Sequence, residues 1–272
     1  MILSKTKKMH YIKVFTIVCM IAFVSCSVKK SSSVASSSGQ LKILCYNIHH
    51  ANPPSKTGLI DIDAIANVIN NANADVVALQ EVDKLTKRSG LDEAKVIAEK
   101  TGMNYHFFRA IDHDGGEYGL AILSRHELKD AKLMPLPQKH VAEKRILSHV
   151  KLTVQGKEFV FANTHLDASR THDNRNVQME YILKYFEDFK LPIILCGDLN
   201  SVAGSEAINL LDKQFKRTCV NNCSGTIPQD LPKKTIDYIA IKNANWPVLH
   251  HDVIAETYAS DHRPIIATFK IE

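Results

Sequence analysis

Pro192-Ile193-Ile194-Leu195-Cys196-Gly197-Asp198-Leu199-Asn200 is a short apolar run that stops in an acid and an amide. An unbroken apolar run of this length reads as a strand covered on both faces, because a strand with one wet face would alternate. Asp198 and Asn200 are two apart, so both side chains leave one face if the extended geometry continues. The same pattern recurs along the chain. Residues 41–48 contain Tyr46-Asn47 at their end, and 75–79 run into Gln80-Glu81. Residues 158–163 run into Thr164-His165-Leu166-Asp167, 235–241 contain Asp237, and Ser260-Asp261-His262-Arg263 precedes a last strand at 264–271. Rigid strands that end in polar residues are common places to build a site.

Other elements fill the gaps. Apolar residues at helical spacing over 60–69, behind Asp61 as a cap, predict a helix. Residues 91–100 read as a second helix that stops at Gly102, 173–189 as a long amphipathic one and 205–211 as a short one. Residues 118–123, 146–154 and 251–256 read as further strands, and Gln155-Gly156 as the hairpin turn that returns the chain into 158–163. Strands outnumber helices and the two alternate in both halves. This predicts two packed sheets with helices on the outside. No repeat at solenoid spacing is visible.

The N-terminus reads differently from the rest. Residues 1–13 carry four lysines and no acid, and 14–24 are almost unbroken apolar residues. A basic segment followed by a short apolar one predicts a secretory signal over 1–25. The apolar run is shorter than the ~20 residues a spanning helix needs. Ser25-Cys26 closes it in the manner of a bacterial lipoprotein signal, with Cys26 as the lipidation site; Phe23 departs from the usual aliphatic residue, which leaves ordinary signal-peptidase cleavage, or no cleavage, as alternatives. Residues 26–40 are rich in Ser and read as a tether. The folded domain is then 41–272. The expectation is an exported lipoprotein, anchored to a membrane and facing the periplasm or the cell surface, and monomeric.

The charge of the chain is +5, but Lys5, Lys7, Lys8, Lys13, Lys29 and Lys30 all precede residue 41 and no acid does, so residues 41–272 carry −1. A nucleic-acid partner calls for a basic surface, and the domain's balance does not favour one. Cys45 and Cys196 lie in apolar runs and read as buried thiols. Cys219 and Cys223 are four apart in a polar stretch, and in an oxidising compartment they are candidates for a disulfide.

The polar strand ends have chemical content. Carboxylates at Glu81, Asp198 and Asp261 with the amides of Asn47 and Asn200 form an oxygen-rich donor set, which suits Mg²⁺ or Mn²⁺ better than Zn²⁺. His165 and His262 can donate hydrogen bonds to phosphoryl oxygens or move protons near neutral pH. Taken singly, a strand-end acid is more often a turn or a cap and a lone histidine more often a surface residue. Taken together, in this order, the set is far more specific.

These motifs resemble the endonuclease/exonuclease/phosphatase superfamily, which includes deoxyribonuclease I-like enzymes. Tyr46-Asn47-Ile48-His49, Leu79-Gln80-Glu81-Val82-Asp83, Asn163-Thr164-His165-Leu166-Asp167, Gly197-Asp198-Leu199-Asn200, Ile236-Asp237-Tyr238-Ile239 and Ser260-Asp261-His262-Arg263-Pro264 follow its motif order across the whole folded domain. The resemblance implies a four-layer α/β sandwich of two mixed sheets and a Mg²⁺- or Mn²⁺-dependent phosphoester hydrolase. It implies Glu81 as principal metal ligand with Asn47 beside it and Asp261 completing the shell. Asp198 would orient or deprotonate the attacking water, and Asn200 would hold a phosphoryl oxygen. His262, oriented by Asp237, and His165 would contact the phosphate from opposite sides. The stretch 116–125 also resembles the family, but Leu120 stands where relatives often carry Asn. Tyr118, Arg88 and Arg175 are further candidates to contact substrate, with packing or surface roles as the alternative. Asp83 reads either as a support for the site or as a turn residue.

The substrate expected from a membrane tether and a near-neutral domain is a phospholipid head group or a small organic phosphate. A deoxyribonuclease-like endonuclease is the enzymatic alternative. A non-catalytic, membrane-tethered binding protein with the same fold is the alternative of another class. All eight site positions carry chemically competent residues, which argues against it.

Overall fold

A computed structural model of the protein describes residues 39–271. The segment read as a signal, Cys26 and the tether up to Ser38 lie outside the described residues. Strands β1 (Gln40–Asn47), β2 (Val76–Lys84), β3 (Asn104–His113), β4 (Gly116–Ser124), β5 (Lys129–Pro135) and β6 (Ile146–Val154) come first, with helices α1 (Ile62–Ala72) and α2 (Glu93–Thr101) among them. The second half holds β7 (Lys157–His165), β8 (Ile193–Asp198), β9 (Lys216–Arg217), β10 (Asp237–Lys242), β11 (Val248–Val253) and β12 (Ile265–Lys270), with α3 (Asp173–Tyr185) and α4 (Glu206–Leu211).

The strands form two six-stranded sheets, in the orders β11-β12-β1-β2-β4-β3 and β5-β6-β7-β8-β10-β9. Each is mixed, with one parallel pair at its centre, β1 with β2 and β7 with β8. Side-chain alternation explains the layering. Ile43 and Cys45 of β1 point into a core between the sheets with Phe161, Ile194, Cys196 and Phe269. Leu44 and Tyr46 point the other way, against Ile65 and Ile69 of α1. On the far sheet, Ala162 and Leu195 pack against Met179 and Ile182 of α3. Both faces of the central strands are therefore dry, which is why they read as continuous apolar runs. The architecture is the four-layer α/β sandwich.

Local chemistry sets the ends of the elements. Asp61 caps α1 by accepting from the Ala64 amide at 2.9 Å, and Asp92 caps α2 in the same way from Lys95. Gly102 closes α2 at φ +65°, where a side chain would be strained. Gln155 and Gly156 both take positive φ in the β6–β7 turn, as a two-residue hairpin requires.

The structure departs from the sequence reading at several elements. Strands β3 and β5 carry no clean apolar alternation, because they are edge strands with mostly exposed or half-buried residues. Backbone pairing with β4 and β6 holds them instead. Helix α3 stops at Tyr185 rather than at Phe189, and Phe186 and Phe189 meet edge-on at 5.1 Å beyond it. Strand β11 begins at Val248 and ends at Val253, earlier than the predicted 251–256. The largest difference is in β2, which runs on past Gln80 to Lys84.

Two buried amides tie the sheets together beneath the polar strand ends. Gln80 donates through Nε2 to Asn163 Oδ1 at 2.7 Å, and Asn163 Nδ2 donates to the carbonyls of Leu79 and Ala121 at 2.9 and 3.0 Å. Asn163 thus clamps β7 to both β2 and β4. Asn163→Ala removes three hydrogen bonds in a dry site and should cost about 3 kcal/mol of unfolding free energy. Urea unfolding checks this, and a loss below about 1 kcal/mol would show the clamp to be dispensable.

Candidate active site

Sheet register builds one side of the site. His165 on β7 pairs with Asp198 on β8, and Asp198 pairs with Asp237 on β10. Three adjacent strands thus present an imidazole and two carboxylates in one row. The other side comes from the facing sheet. Asn47 ends β1 opposite Gln80 of β2. There β2 carries a bulge, since two residues, Gln80 and Glu81, face the single Leu120 between the pairs Leu79–Ala121 and Val82–Gly119. Glu81 adopts φ +58°, a left-handed conformation that costs a non-glycine residue energy. The bulge re-aims Glu81 toward Asn47.

Asn47 joins the two sides. It is fully buried, and its Nδ2 donates to Glu81 Oε1 at 3.0 Å and to Asp198 Oδ2 at 3.1 Å. Its Oδ1 accepts from the His49 amide. His49, His50 and Ala51 all take positive φ in a tight turn, which brings His50 Nδ1 within 3.7 Å of Glu81 Oε2. Burial alone would raise the Glu81 carboxyl, but His50, His165, Asn47 and His262 around it hold it well below the usual carboxylate range. Burial and the Asp237 charge push Asp198 the other way, up to about 7.

Asp237 Oδ2 accepts from His262 Nδ1 at 2.9 Å, and His262 Nε2 lies 3.7 Å from Asp198 Oδ2. Burial would lower His262, yet the Asp237 and Asp198 carboxylates outweigh it and carry the imidazole up to about 10. His262 is therefore an imidazolium at neutral pH. Ser260 positions it, accepting from the His262 amide and donating to the Asn47 carbonyl at 2.7 Å. His165 is the opposite case. Burial and the nearby Arg145 charge hold it well below its usual value. Asn200 Nδ2 donates to the Leu166 carbonyl and reaches His165 Nε2 at 3.1 Å, so Nε2 is the acceptor and the proton sits on Nδ1. Asn200, at φ +47°, also donates its amide to Asp198 Oδ1 at 2.8 Å.

Asn47, Glu81, His165, Asp198, Asn200, Asp237 and His262 are thus one connected network. Asp261 joins it at the rim, half-buried, through a 3.4 Å contact with Ser260 Oγ. The remaining candidates have other partners. Arg88 makes a bidentate pair with the buried Asp83, at 2.6 and 2.8 Å, and stacks over the Tyr118 ring. Arg175 donates to the carbonyls of Asp167 and Ser169 and to His172 Nδ1, which shapes the loop after β7. Cys219 and Cys223 are bonded, with Cα atoms 5.9 Å apart. The loop after them packs on the His262 turn, where Thr226 and Gln229 accept from Arg263. Two residues near the network escape sequence reasoning. His50 is only the second histidine of a pair, and Arg145 sits in a charged loop with no motif around it.

The donor set fits a hard divalent cation. Among the described residues, Asp198, Asp237 and His262 bring their polar atoms within 4.8 Å of one another, but a protonated His262 has no lone pair for a metal, so the carboxylates are the atoms open to a cation. Asp237 Oδ1 is buried without a partner, and Glu81 and Asp198 converge on one amide. Carboxylate crowding of this kind is relieved by a bound cation.

Similarity to known proteins agrees with this geometry. The fold resembles an endonuclease/exonuclease/phosphatase from Beutenbergia cavernae at TM-score 0.74, with 22% identity over 85% of this chain and 72% of that one. It also resembles a mannosyl-6-phosphatase from Bacteroides thetaiotaomicron at TM-score 0.68, with 20% identity over 84% and 98%. In sequence, Protein angel of Drosophila melanogaster is 33% identical over 149 residues, which is 50% of this chain and 42% of that protein. The chain thus matches less than half the length of that curated relative. The Endonuclease/Exonuclease/phosphatase family model matches residues 44–262, from the strand that carries Asn47 to His262 itself. With its motifs, its two sheets and the joined strand ends in agreement, the chain belongs to the endonuclease/exonuclease/phosphatase family.

Proposed function

We propose that the protein is a divalent-metal-dependent phosphoester hydrolase acting on a phospholipid head group or a small organic phosphate. The observation that carries this reading is the Asn47 amide held between Glu81 and Asp198, with Asp198 beside the Asp237–His262 pair. Mg²⁺ or Mn²⁺, held by Glu81 with Asn47 and Asp261, would supply Lewis-acid stabilisation of phosphoryl oxygen charge. The chain's own residues account for the rest. Asp198, raised to about 7, is matched to taking a proton from an attacking water. Asn200 would hold a phosphoryl oxygen by exchanging its Nδ2 contact with His165 for it. His262, kept cationic by Asp237, donates to the oxygen on which charge develops, and His165, its Nε2 3.5 Å from Asp198 Oδ2, stands on the facing side.

A screen of purified residues 41–272 over phospholipids, inositol phosphates, sugar phosphates and DNA tests the reading. Hydrolysis should appear with Mg²⁺ or Mn²⁺, disappear in chelator and return on adding the metal. Full activity after exhaustive chelation would exclude the metal-dependent mechanism. DNA cleavage faster than that of every small ester would favour the endonuclease alternative, which the −1 charge of residues 41–272 disfavours. Export and lipid anchoring at Cys26 complete the proposal and bring the enzyme to a membrane surface. Cys26→Ser should move the protein from the membrane to the soluble fraction.

A further inference from the structure

Cys45 of β1 and Cys196 of β8 meet in the core between the two sheets. Both are free thiols and both are fully buried. The two thiols are in hydrogen-bonding contact with each other. Each lies two residues before a site residue on its own strand. Those two residues, Asn47 and Asp198, are joined at 3.1 Å. A step of two along a strand keeps the same face, so the thiols form the next rung between the same two strands. Their neighbours are small or polar. Cys45 stands in register with Ala78 and Cys196 with Asn163, and Gln80 Nε2 donates to Cys45 Sγ at 3.6 Å.

The sheets are close at this point. Facing sheets usually pack about 10 Å apart, but Cα atoms of β1 and β8 come within 8 Å of one another. A disulfide needs Cα atoms within roughly 7 Å, so the two strands stand about an ångström from bonding distance. The existing Cys219–Cys223 bond joins residues four apart in one loop and ties no sheet to another. A bond between Cys45 and Cys196 would join residues 151 apart, the separation of Asn47 and Asp198 above them.

We propose that Cys45 and Cys196 are an oxidation site, which closes into a cross-sheet disulfide beneath the active site when the chain folds in the presence of a small-molecule disulfide. The hydrolase reading is not needed for this. The chemistry is thiol–disulfide exchange with an oxidant such as oxidised glutathione. The thiolate of one cysteine attacks the oxidant, forms a mixed disulfide and releases one small thiolate. The thiolate of the other attacks the cysteine sulfur of that mixed disulfide. The Sγ–Sγ bond forms and the second small thiolate leaves. Two cysteine thiols are oxidised, one small disulfide is reduced, and the two cysteine protons end on the released thiolates. Burial keeps an oxidant from both sulfurs in the folded protein, so closure belongs to the stage before the sheets meet. A cross-link over so long a stretch restricts the unfolded chain far more than the short Cys219–Cys223 loop does. The bonded sulfur can still accept from Gln80.

The test unfolds and reduces the full-length protein, then refolds it either in a mixture of oxidised and reduced glutathione or in excess reductant. Both samples are alkylated and digested with trypsin without reduction. In the oxidised sample, mass spectrometry should find peptides 43–56 and 191–213 joined, two hydrogens lighter than their sum. The linked protein should have a Tm about 5–15 °C above that of the reduced protein. Cys196→Ala should abolish most of that difference, and the double variant Cys219→Ser, Cys223→Ser should keep most of it. Oxidised glutathione added to folded, reduced protein should give less than about a tenth of the linkage. Absence of the joined peptides after oxidative refolding would overturn the proposal. So would a Tm difference that survives Cys196→Ala and vanishes in the double variant. Equal linkage in the folded protein would overturn closure during folding. If Cys196→Ala does not fold, the peptide map of the wild type and the Tm of the double variant decide.

Discussion

Asp237→Asn should lower kcat by about 10³-fold while the fold and KM stay close to wild type. Asp237 is buried at the first position of β10, and its backbone register with Asp198 does not depend on the carboxylate. What the carboxylate does is hold His262 Nδ1 at 2.9 Å and keep the imidazole cationic to about 10. An amide keeps the shape and removes the charge. Burial would then dominate, and the His262 pKa would fall toward or below its ordinary value. For a triad aspartate the same change costs about 10⁴ in rate, and the smaller figure here follows from the proposed metal, which would still stabilise the phosphoryl charge.

The pH dependence gives this prediction its signature. A histidine whose pKa is raised in the folded protein stays charged below that value and loses its charge as pH rises through it. In the wild type the loss of the imidazolium therefore falls near pH 10, and neutral activity is flat with respect to His262. In the variant it moves down toward the ordinary imidazole range, and Asp198 is less raised without Asp237, so kcat should rise as pH falls through the His262 value until Asp198 takes up its proton. A variant with wild-type kcat would reduce Asp237 to a structural residue.

Glu81→Gln should weaken Mg²⁺ by more than the roughly 10–100-fold typical of residues that only support a ligand, and lower activity at limiting metal by about 10³-fold. Glu81 is held anionic, well below the usual carboxylate range, on a strained bulge that aims it at Asn47. Gln retains the size and the Asn47 contact but not the charge a hard cation requires. Activity measured against rising Mg²⁺ separates binding from chemistry, since excess metal should recover part of the loss. An unchanged Mg²⁺ dependence would remove Glu81 from the metal site. Asp261→Asn is the comparison. With only a 3.4 Å contact to Ser260 at the rim, its effect on Mg²⁺ should be nearer about 10-fold.

Much of this protein is legible from its residues. The apolar runs around Ile43, Leu195 and Ile239 announce strands buried on both faces, and all lie in central strands of the two sheets. Asp61 and Gly102 mark helix ends because capping is a local interaction. The edge strands β3 and β5 were illegible for the converse reason. Their order comes from backbone bonds to a neighbour, and exposed side chains leave no period to read.

The sequence by itself determined which strands are dry, where they stop, and that acids, amides and imidazoles stand at those stops in a family order. Tertiary structure alone decided how those stops meet. The register of β7, β8 and β10 aligns His165, Asp198 and Asp237, and the β2 bulge turns Glu81 toward Asn47. Packing of the two sheets brings Asn47 to Asp198, 151 residues away, and the loop before β6 carries Arg145 to His165. The physical reason is the range of each signal. Burial and capping act within a few residues and leave a period or a cap in the sequence. Register, bulges and the paired charges of a dry site depend on partners far along the chain, and no local pattern names them.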